Sequence, residues 1–402
     1  MATGPMATGQ EGAGPDLPTL QLPPLALYVH VPWCVRKCPY CDFNSHAVDG
    51  ELPERAYVAA LLADLDADLP LVQGRELTSI FIGGGTPSLF SPAAYEQLFA
   101  GLHERLRFAA GIEITLEANP GTVEQEKFRG YRALGINRLS IGVQSFNPEH
   151  LQALGRIHGR DEAIRAADAA RGAGFDNFNL DLMHGLPGQS VADAMADLGQ
   201  ALALAPTHLS WYQLTIEPNT VFHAKPPVLP VDDLLADIED AGLARLADAG
   251  FHRYEISAYA NSPRRESRHN RNYWEFGDYL GIGAGAHGKC TLPGENAIIR
   301  TRKTRLPKDY LAAAHERRAF GGAPQAVAAG DRPFEFMLNA LRLVDGVPAD
   351  FFSARTGIAP AAIAETLAAL RGRGLLQPDT GRIACTPAGL RFLNDVVNAF
   401  AD

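Results

Sequence analysis

Cys34-Val35-Arg36-Lys37-Cys38-Pro39-Tyr40-Cys41 follows directly on an alternating apolar segment, Leu25 to Val31. Three thiolates in this x3/x2 spacing can hold three corners of a cubic iron–sulfur cluster and leave the fourth iron without a protein ligand. The competing readings are a structural zinc site completed by His30 or His46, and a redox Cys-x-x-Cys pair. Zinc sites usually join one Cys-x-x-Cys to a second, distant pair. Only Cys290 and Cys385 remain elsewhere in the chain.

The 402 residues are 46% hydrophobic, enough for one large core and a smaller second one. The formal charge of −10 gives no electrostatic reason to expect nucleic acid or an anionic membrane as the main partner. Five cysteines, three of them clustered, do not form the framework of a disulfide-rich secreted protein and imply a reducing, cytoplasmic setting. Residues 1–24 are rich in Gly, Pro, Ala and Thr, with Met-Ala-Thr-Gly at positions 1 and 6, and read as a disordered tail. The repeat leaves Met1 and Met6 both open as the natural start. No basic segment followed by an apolar run marks a signal peptide, and no run of about 18 apolar residues marks a membrane span.

Beyond the tail, short β-branched or aromatic segments alternate with longer segments of helical period. The expected strands are Leu25 to Val31, Ser79 to Gly83, Ile112 to Glu117, Arg138 to Val143, Asn177 to Leu182 and His208 to Ile216, with Tyr254 to Tyr259 as a further addition. The clearest helices are Glu54 to Asp68, Ala93 to Leu106, Asp161 to Gly172, Val191 to Leu204 and Asp232 to Ala249. This βα alternation predicts a parallel α/β sheet, either doubly wound or curled into a barrel.

The unusual motifs fall at the C-terminal ends of these strands. The cysteine stretch follows the first, Gly83-Gly84-Gly85-Thr86-Pro87 the second, and Glu117-Ala118-Asn119-Pro120 the third. Gly142-Val143-Gln144-Ser145-Phe146 closes the fourth and Asp181 to Pro187 the fifth. In a parallel barrel those ends share the face on which sites are built. The glycine run by itself reads equally as a turn, but three glycines also let a ligand approach the backbone and its amides. Glu117, Gln144, Arg156 and Asp181, each an ordinary capping or surface residue when taken singly, together supply two anions, one amide and one cation. Such a set suits a zwitterionic amino acid joined to a ribose.

At these residues the chain resembles the radical S-adenosylmethionine (SAM) superfamily: the Cys34/Cys38/Cys41 triplet, the aromatic Tyr40 before the last cysteine, and the Gly83 to Pro87 run. The resemblance implies a partial (β/α)6 barrel and a [4Fe-4S] cluster whose open iron is chelated by exchangeable SAM, with cleavage to a 5′-deoxyadenosyl radical. It also implies an electron donor such as flavodoxin or ferredoxin. Leu27 to Pro32, Gly142 to Asn147, Asp181 to Gln189 and Tyr279 to Ala286 resemble, more closely, the oxygen-independent coproporphyrinogen III oxidase branch. That likeness carries SAM contacts to Tyr28, Tyr40, Gly84, Gly85, Thr86, Glu117, Gln144, Arg156 and Asp181. By charge, Arg156 would meet the methionine carboxylate, Glu117 the ammonium, and Gln144 with Asp181 the ribose.

Two features divide the branch. The oxidases carry a further cysteine two residues past the triplet, where this chain has Phe43, and a longer N-terminal arm. Arg268-His269-Asn270-Arg271-Asn272-Tyr273-Trp274 resembles the His-Asn-x-x-Tyr-Trp motif of HemW-type haem chaperones. An imidazole can ligate haem iron, Tyr273 and Trp274 can pack on the macrocycle, and Arg268 or Arg271 can pair with propionates. The bland alternative makes His269 a residue that closes the barrel or sits in a polar loop, and His287 and Cys290 are rival ligands. The expected function is a haem chaperone handing haem to acceptor haem proteins, with respiratory membrane enzymes as candidate acceptors. The alternative is oxidative decarboxylation of coproporphyrinogen III. Radical modification of RNA lacks a basic surface.

The expected organisation is a tail over 1–24, the barrel over 25–260, a haem-motif and closing segment over 261–330, and a winged-helix-like α+β module over 331–402. In that module Phe334 to Leu343, Ala349 to Thr356, Pro360 to Arg371 and Pro387 to Phe400 have helical period, and Gly374 to Cys385 reads as two short strands around a turn. The module has few basic residues for phosphates, and the resemblance makes it a cover for the barrel mouth.

Overall fold

The computed structural model describes residues 19–122 and 125–401. Six strands alternate with helices: β1 (Leu25–Val31), β2 (Leu77–Gly84), β3 (Phe108–Ala118), β4 (Arg138–Gln144), β5 (Phe178–His184) and β6 (His208–Gln213). They continue as β7 (His252–Glu255), β8 (Ala258–Ala260), β9 (Asp278–Ile282), β10 (His287–Leu292), β11 (Ala297–Arg302) and β12 (Gln325–Ala326). All twelve form one sheet in the order β12-β11-β10-β9-β1-β2-β3-β4-β5-β6-β8-β7. From β9 to β6 every pairing is parallel. The outer pairings are antiparallel. The expected sixfold βα unit is therefore present, extended by β9, a parallel strand the periodicity did not single out.

The alternation of side chains explains both faces. Leu25, Leu27, Val29 and Val31 of β1 enter the large core with the helices. Tyr28, on the other face, stacks near Phe81 of β2, with ring centroids 6.3 Å apart. The helices are cut where the sequence caps them. Pro92–Arg105 starts on Ser91, whose Oγ accepts from the Ala94 N–H, and Val191–Ala203 starts on a Ser190/Asp193 capping box. Gln125–Ala133 is a further helix between β3 and β4, which buries Phe128 and Tyr131 one turn apart.

A second core joins Phe336, Leu341, Phe352 and Val396 to Tyr254, Phe276 and Ile298, so the C-terminal helices are packed on the sheet rather than tethered to it. Two expectations change here. The final helix is two, Pro387–Arg391 and Leu393–Asn398, broken at Phe392. The expected ribbon makes one bridge, Leu376 to Cys385, beyond which the Arg371 guanidinium donates to the carbonyls of Gln377, Asp379 and Arg382; Arg382–Ile383 pairs with Val347–Pro348 instead. The expected tail over 1–24 falls only partly on described residues. Residues 1–18 lie outside the described residues, but Leu20 is buried in the second core and the Gln21 N–H donates to the Ala354 carbonyl at 2.8 Å. Among the described residues no helix is long and apolar enough to cross a membrane.

Candidate functional site

The cysteine loop is closed at its base. Trp33–Cys34 pairs with His46–Ala47, and the His46 and Val48 amides donate to the carbonyls of Pro32 and Cys34. Asn44 pins the far side, donating to the carbonyls of Ala284 and Arg305 at 2.8 Å each. All five cysteines are free, and Cys34, Cys38 and Cys41 line one cavity of about 330 Å³. Among the described residues no three His, Cys, Asp or Glu side chains already converge on one point. The sulfurs thus ring the cavity without closing on each other.

The opposite wall comes from the strand ends, as expected. Gly84 has φ +119°, and a Cβ there would lie 2.7 Å from the His30 ring; at Gly85 it would lie 2.5 Å from the Trp33 carbonyl. Only glycine lets this backbone lie against β1 and its loop. The Gly84 N–H donates to Glu117 Oε2 at 3.0 Å. Burial, and secondly the nearby Asp181, push the Glu117 carboxyl up to about 8. Asp181 accepts from Ser140 Oγ at 3.0 Å and from Asn179 Nδ2 at 2.7 Å, and burial pushes it up as well. Gln144 takes φ +68° where the β4–β5 register shifts, and its Oε1 accepts from the Tyr212 hydroxyl at 2.8 Å. Arg156 reaches in from beyond β4, with Nη1 3.7 Å from Cys38 Sγ and Nη2 donating to the Gly142 carbonyl at 2.7 Å. Its Nε is buried with no partner.

These features fit a cluster and SAM. The three thiols share one cavity, the glycine wall is a cradle that a Cβ would fill, a buried carboxyl has one amide donor and an acidic neighbour, and a guanidinium N–H is unspent. Tyr40, Thr86, Asn270 and Trp274 line the same cavity. Tyr28 does not. It lines a neighbouring cavity, with its hydroxyl 2.9 Å from His30 Nδ1.

The haem motif behaves differently from its sequence reading. Arg268–Trp274 is a short helix capped by Ser267, and it lays His269 over the paired strands β2 and β3. His269 Nδ1 meets Ser79 Oγ at 3.0 Å, Nε2 meets the Tyr273 hydroxyl at 2.9 Å, and the ring stacks on Phe81 at 5.1 Å. Its backbone N–H donates to Glu113 at 3.2 Å. Burial lowers its pKa to about 3. Both ring nitrogens are thus hydrogen-bonded, and the imidazole expected to ligate haem iron is placed as a buried interior ring. Arg271 is likewise spent on Glu266 and Glu275, and Arg268 Nη1 donates to the Gly111 carbonyl. Cys290 is buried in the main core. Asn270 and Trp274 do reach the cavity, and Arg342 of the C-terminal module lies over the Trp274 ring at 4.2 Å.

Several lining residues escaped the sequence reading: Ser140, Ser210, Tyr212, Glu255 and Ser257. The signal was there in part, since Ser140, Asn179 and Ser210 are small polar residues inside otherwise apolar strands.

Comparison with known proteins bears on this geometry. The radical SAM superfamily pattern matches residues 28–200, and the HemN C-terminal domain pattern matches residues 327–392. The chain is 52% identical over 381 residues to "Heme chaperone HemW" of Escherichia coli strain K12, covering 95% of this chain and 99% of that protein. The chain belongs to the HemW family. A Bacillus subtilis member of the family is 32% identical, covering 93% of this chain and 98% of that one. Among solved structures, coproporphyrinogen III oxidase (HemN) from Escherichia coli, a radical SAM enzyme, superposes with a TM-score of 0.79 at 25% identity, covering 94% of this chain and 90% of its own. The family and that fold agree with the mostly parallel, barrel-like sheet and with the iron–sulfur and SAM chemistry of the superfamily.

Proposed function

We propose that this chain binds haem and passes it to acceptor haem proteins, with Cys34, Cys38 and Cys41 holding a [4Fe-4S] cluster and SAM exchangeable beside it. When bound, the cluster supplies an electron to the sulfonium of SAM. The chain's own residues orient SAM: Arg156 toward the carboxylate, Glu117 toward the ammonium, Gln144 and Asp181 toward the ribose, over the Gly84–Thr86 wall. The observation that carries the SAM part is the buried Glu117 carboxyl, which has a single amide donor and an acidic neighbour and so favours a cation there.

Phe43 favours haem handling over decarboxylation. It stands where the oxidases have their further cysteine, and it is 60% exposed at the rim of the cavity. A soft metal ligand is thereby replaced by an apolar plane. The second reading, coproporphyrinogen III oxidation, is favoured by the likeness to the HemN structure. An electron donor such as flavodoxin or ferredoxin, acceptors that include respiratory membrane enzymes, a cytoplasmic location and no nucleic-acid partner belong to the first reading.

The test is anaerobic reconstitution of the cluster, followed by haem titration and, separately, an assay of coproporphyrinogen consumption with SAM and a reductant. Saturable haem binding without coproporphyrinogen turnover is expected. Turnover to protoporphyrinogen without haem binding would overturn the chaperone reading.

A further inference from the structure

A second cavity of about 500 Å³ adjoins the first, sharing Phe43, Gly84 and Glu117 with it. Its volume lies in the ordinary range for ligand sites, about 300–1,000 Å³. The remaining wall is aromatic on one side, with Tyr28, Tyr273 and Tyr279, and basic on the other, with His287, Arg302 and Arg305.

Register explains the basic side. His287 of β10 is directly opposite Arg302 of β11, so the two side chains project from the same face of the antiparallel pair. The next pair on that face, Lys289 and Arg300, is already engaged. Lys289 is bound to Asp278 at 3.0 Å, and Arg300 to Glu335 at 2.5 Å and to the Tyr279 hydroxyl at 3.0 Å. Arg302 and Arg305 have no ion pair among the described residues. Two guanidinium groups without acids, beside a cavity, suit a ligand with two carboxylates. Asp42 at the exposed rim is the opposing charge, and Glu117 at the shared wall is the carboxyl pushed up to about 8.

The imidazoles differ in the same way. His30 also lines this cavity, but its nitrogens meet the Tyr28 hydroxyl and the Asn44 carbonyl, both at 2.9 Å. His287 is exposed, with no ring hydrogen bond among the described residues. Burial of part of the ring, then Arg302, Arg300 and Arg305, lower its pKa, which keeps it neutral and able to bind a metal at neutral pH.

We propose that this second cavity is the seat of the haem, with His287 as the iron ligand, Arg302 and Arg305 on the two propionates, and Phe43 against the macrocycle at the boundary with the SAM cavity. The proposal rests on the haem-carrying reading above and adds to it the site, the ligand and the position of the haem relative to the cluster.

The experiment titrates ferric haem, and separately its propionate dimethyl ester, into the full chain and into two variants, following the Soret band and the electron paramagnetic resonance of the iron. The parent should bind haem saturably with a histidine-type spectrum. His287→Ala should lose that spectrum and bind at least about tenfold more weakly, and His287→Met should bind with a shifted Soret band. Arg302→Ala/Arg305→Ala should weaken haem by about tenfold while leaving the ester unchanged. A His287→Ala chain with the parent circular dichroism, spectrum and affinity would overturn the seat while leaving haem carriage intact. A double arginine variant that binds haem as the parent does would overturn the assignment of the propionates. A parent that binds no haem would overturn the chaperone reading and this site with it.

Discussion

The cysteine loop and the Arg268–Trp274 helix are the two motifs that stand out in the sequence, and the fold treats them in opposite ways. The loop projects from the C-terminal end of β1, tied at its base and at Asn44, with its thiols free on a cavity wall. The helix carries its most reactive side chain into the interior, where Ser79 and Tyr273 meet the two ring nitrogens of His269 and Phe81 stacks on the ring. A motif announces that residues are specified together. Whether they are specified for a ligand or for packing depends on which donors the fold leaves unspent.

That contrast can be broken, most strongly, at the loop. Cys38→Ser should abolish cluster incorporation, read as loss of iron and of the visible absorbance after reconstitution, with folding stability unchanged to within about 0.5 kcal/mol. If the cluster survives, the loop is not its holder.

The reverse pattern is expected for the helix. His269→Ala removes a stacked, doubly hydrogen-bonded interior ring and should cost about 2–4 kcal/mol in urea denaturation. The spectrum of bound haem should not change. A variant as stable as the parent but with an altered haem spectrum would restore His269 as the ligand.

Glu117 sharpens the comparison within the cavity. Its folded-state pKa of about 8 lies above the ordinary 4.5, so the folded protein keeps a proton that the unfolded chain releases. The protonated carboxyl therefore contributes stability that is fully present below about 4.5 and is lost as pH rises through 8. The unliganded parent should lose stability over that window, and Glu117→Gln should lose less, as read by melting temperature against pH. If the carboxylate meets the SAM ammonium, the affinity of the cluster-loaded parent for SAM should rise from pH 6 to 8. In Glu117→Gln that affinity should be about tenfold weaker and flat with pH.

The smallest effect is expected at Phe43. Phe43→Cys restores the four-cysteine spacing, yet iron content should stay at the parent level because three thiols already hold the cluster. An increase in iron per chain would show that the fourth position is a ligand site after all.

Much of the site was legible from local pattern alone. The βα period placed each strand end, and the polar or glycine motifs fell on those ends, so parallel pairing had to gather them on one face. Glu117, Gln144, Arg156 and Asp181 line one cavity for that reason. What was not legible depended on direction and pairing. Tyr28 sits on the correct strand but opens into the neighbouring cavity. Leu20, in a proline-interrupted stretch with neither helical nor strand period, found a core made by helices more than 300 residues away. His287 and Arg302 are unremarkable in the chain and become a pair only through the β10–β11 register.

The sequence by itself determined the cluster-type spacing, the βα alternation and the convergence of the strand-end motifs, because these follow from short-range periodicity and from the chemistry of residues close in the chain. Only the tertiary structure decided which histidine is spent and which is free. His269 Nδ1 is satisfied by Ser79 from a distant strand and Nε2 by Tyr273 one turn along the same helix, while among the described residues the His287 ring has no hydrogen bond and lies beside two arginines without ion pairs, and packing is what distributes hydrogen-bond partners in that way.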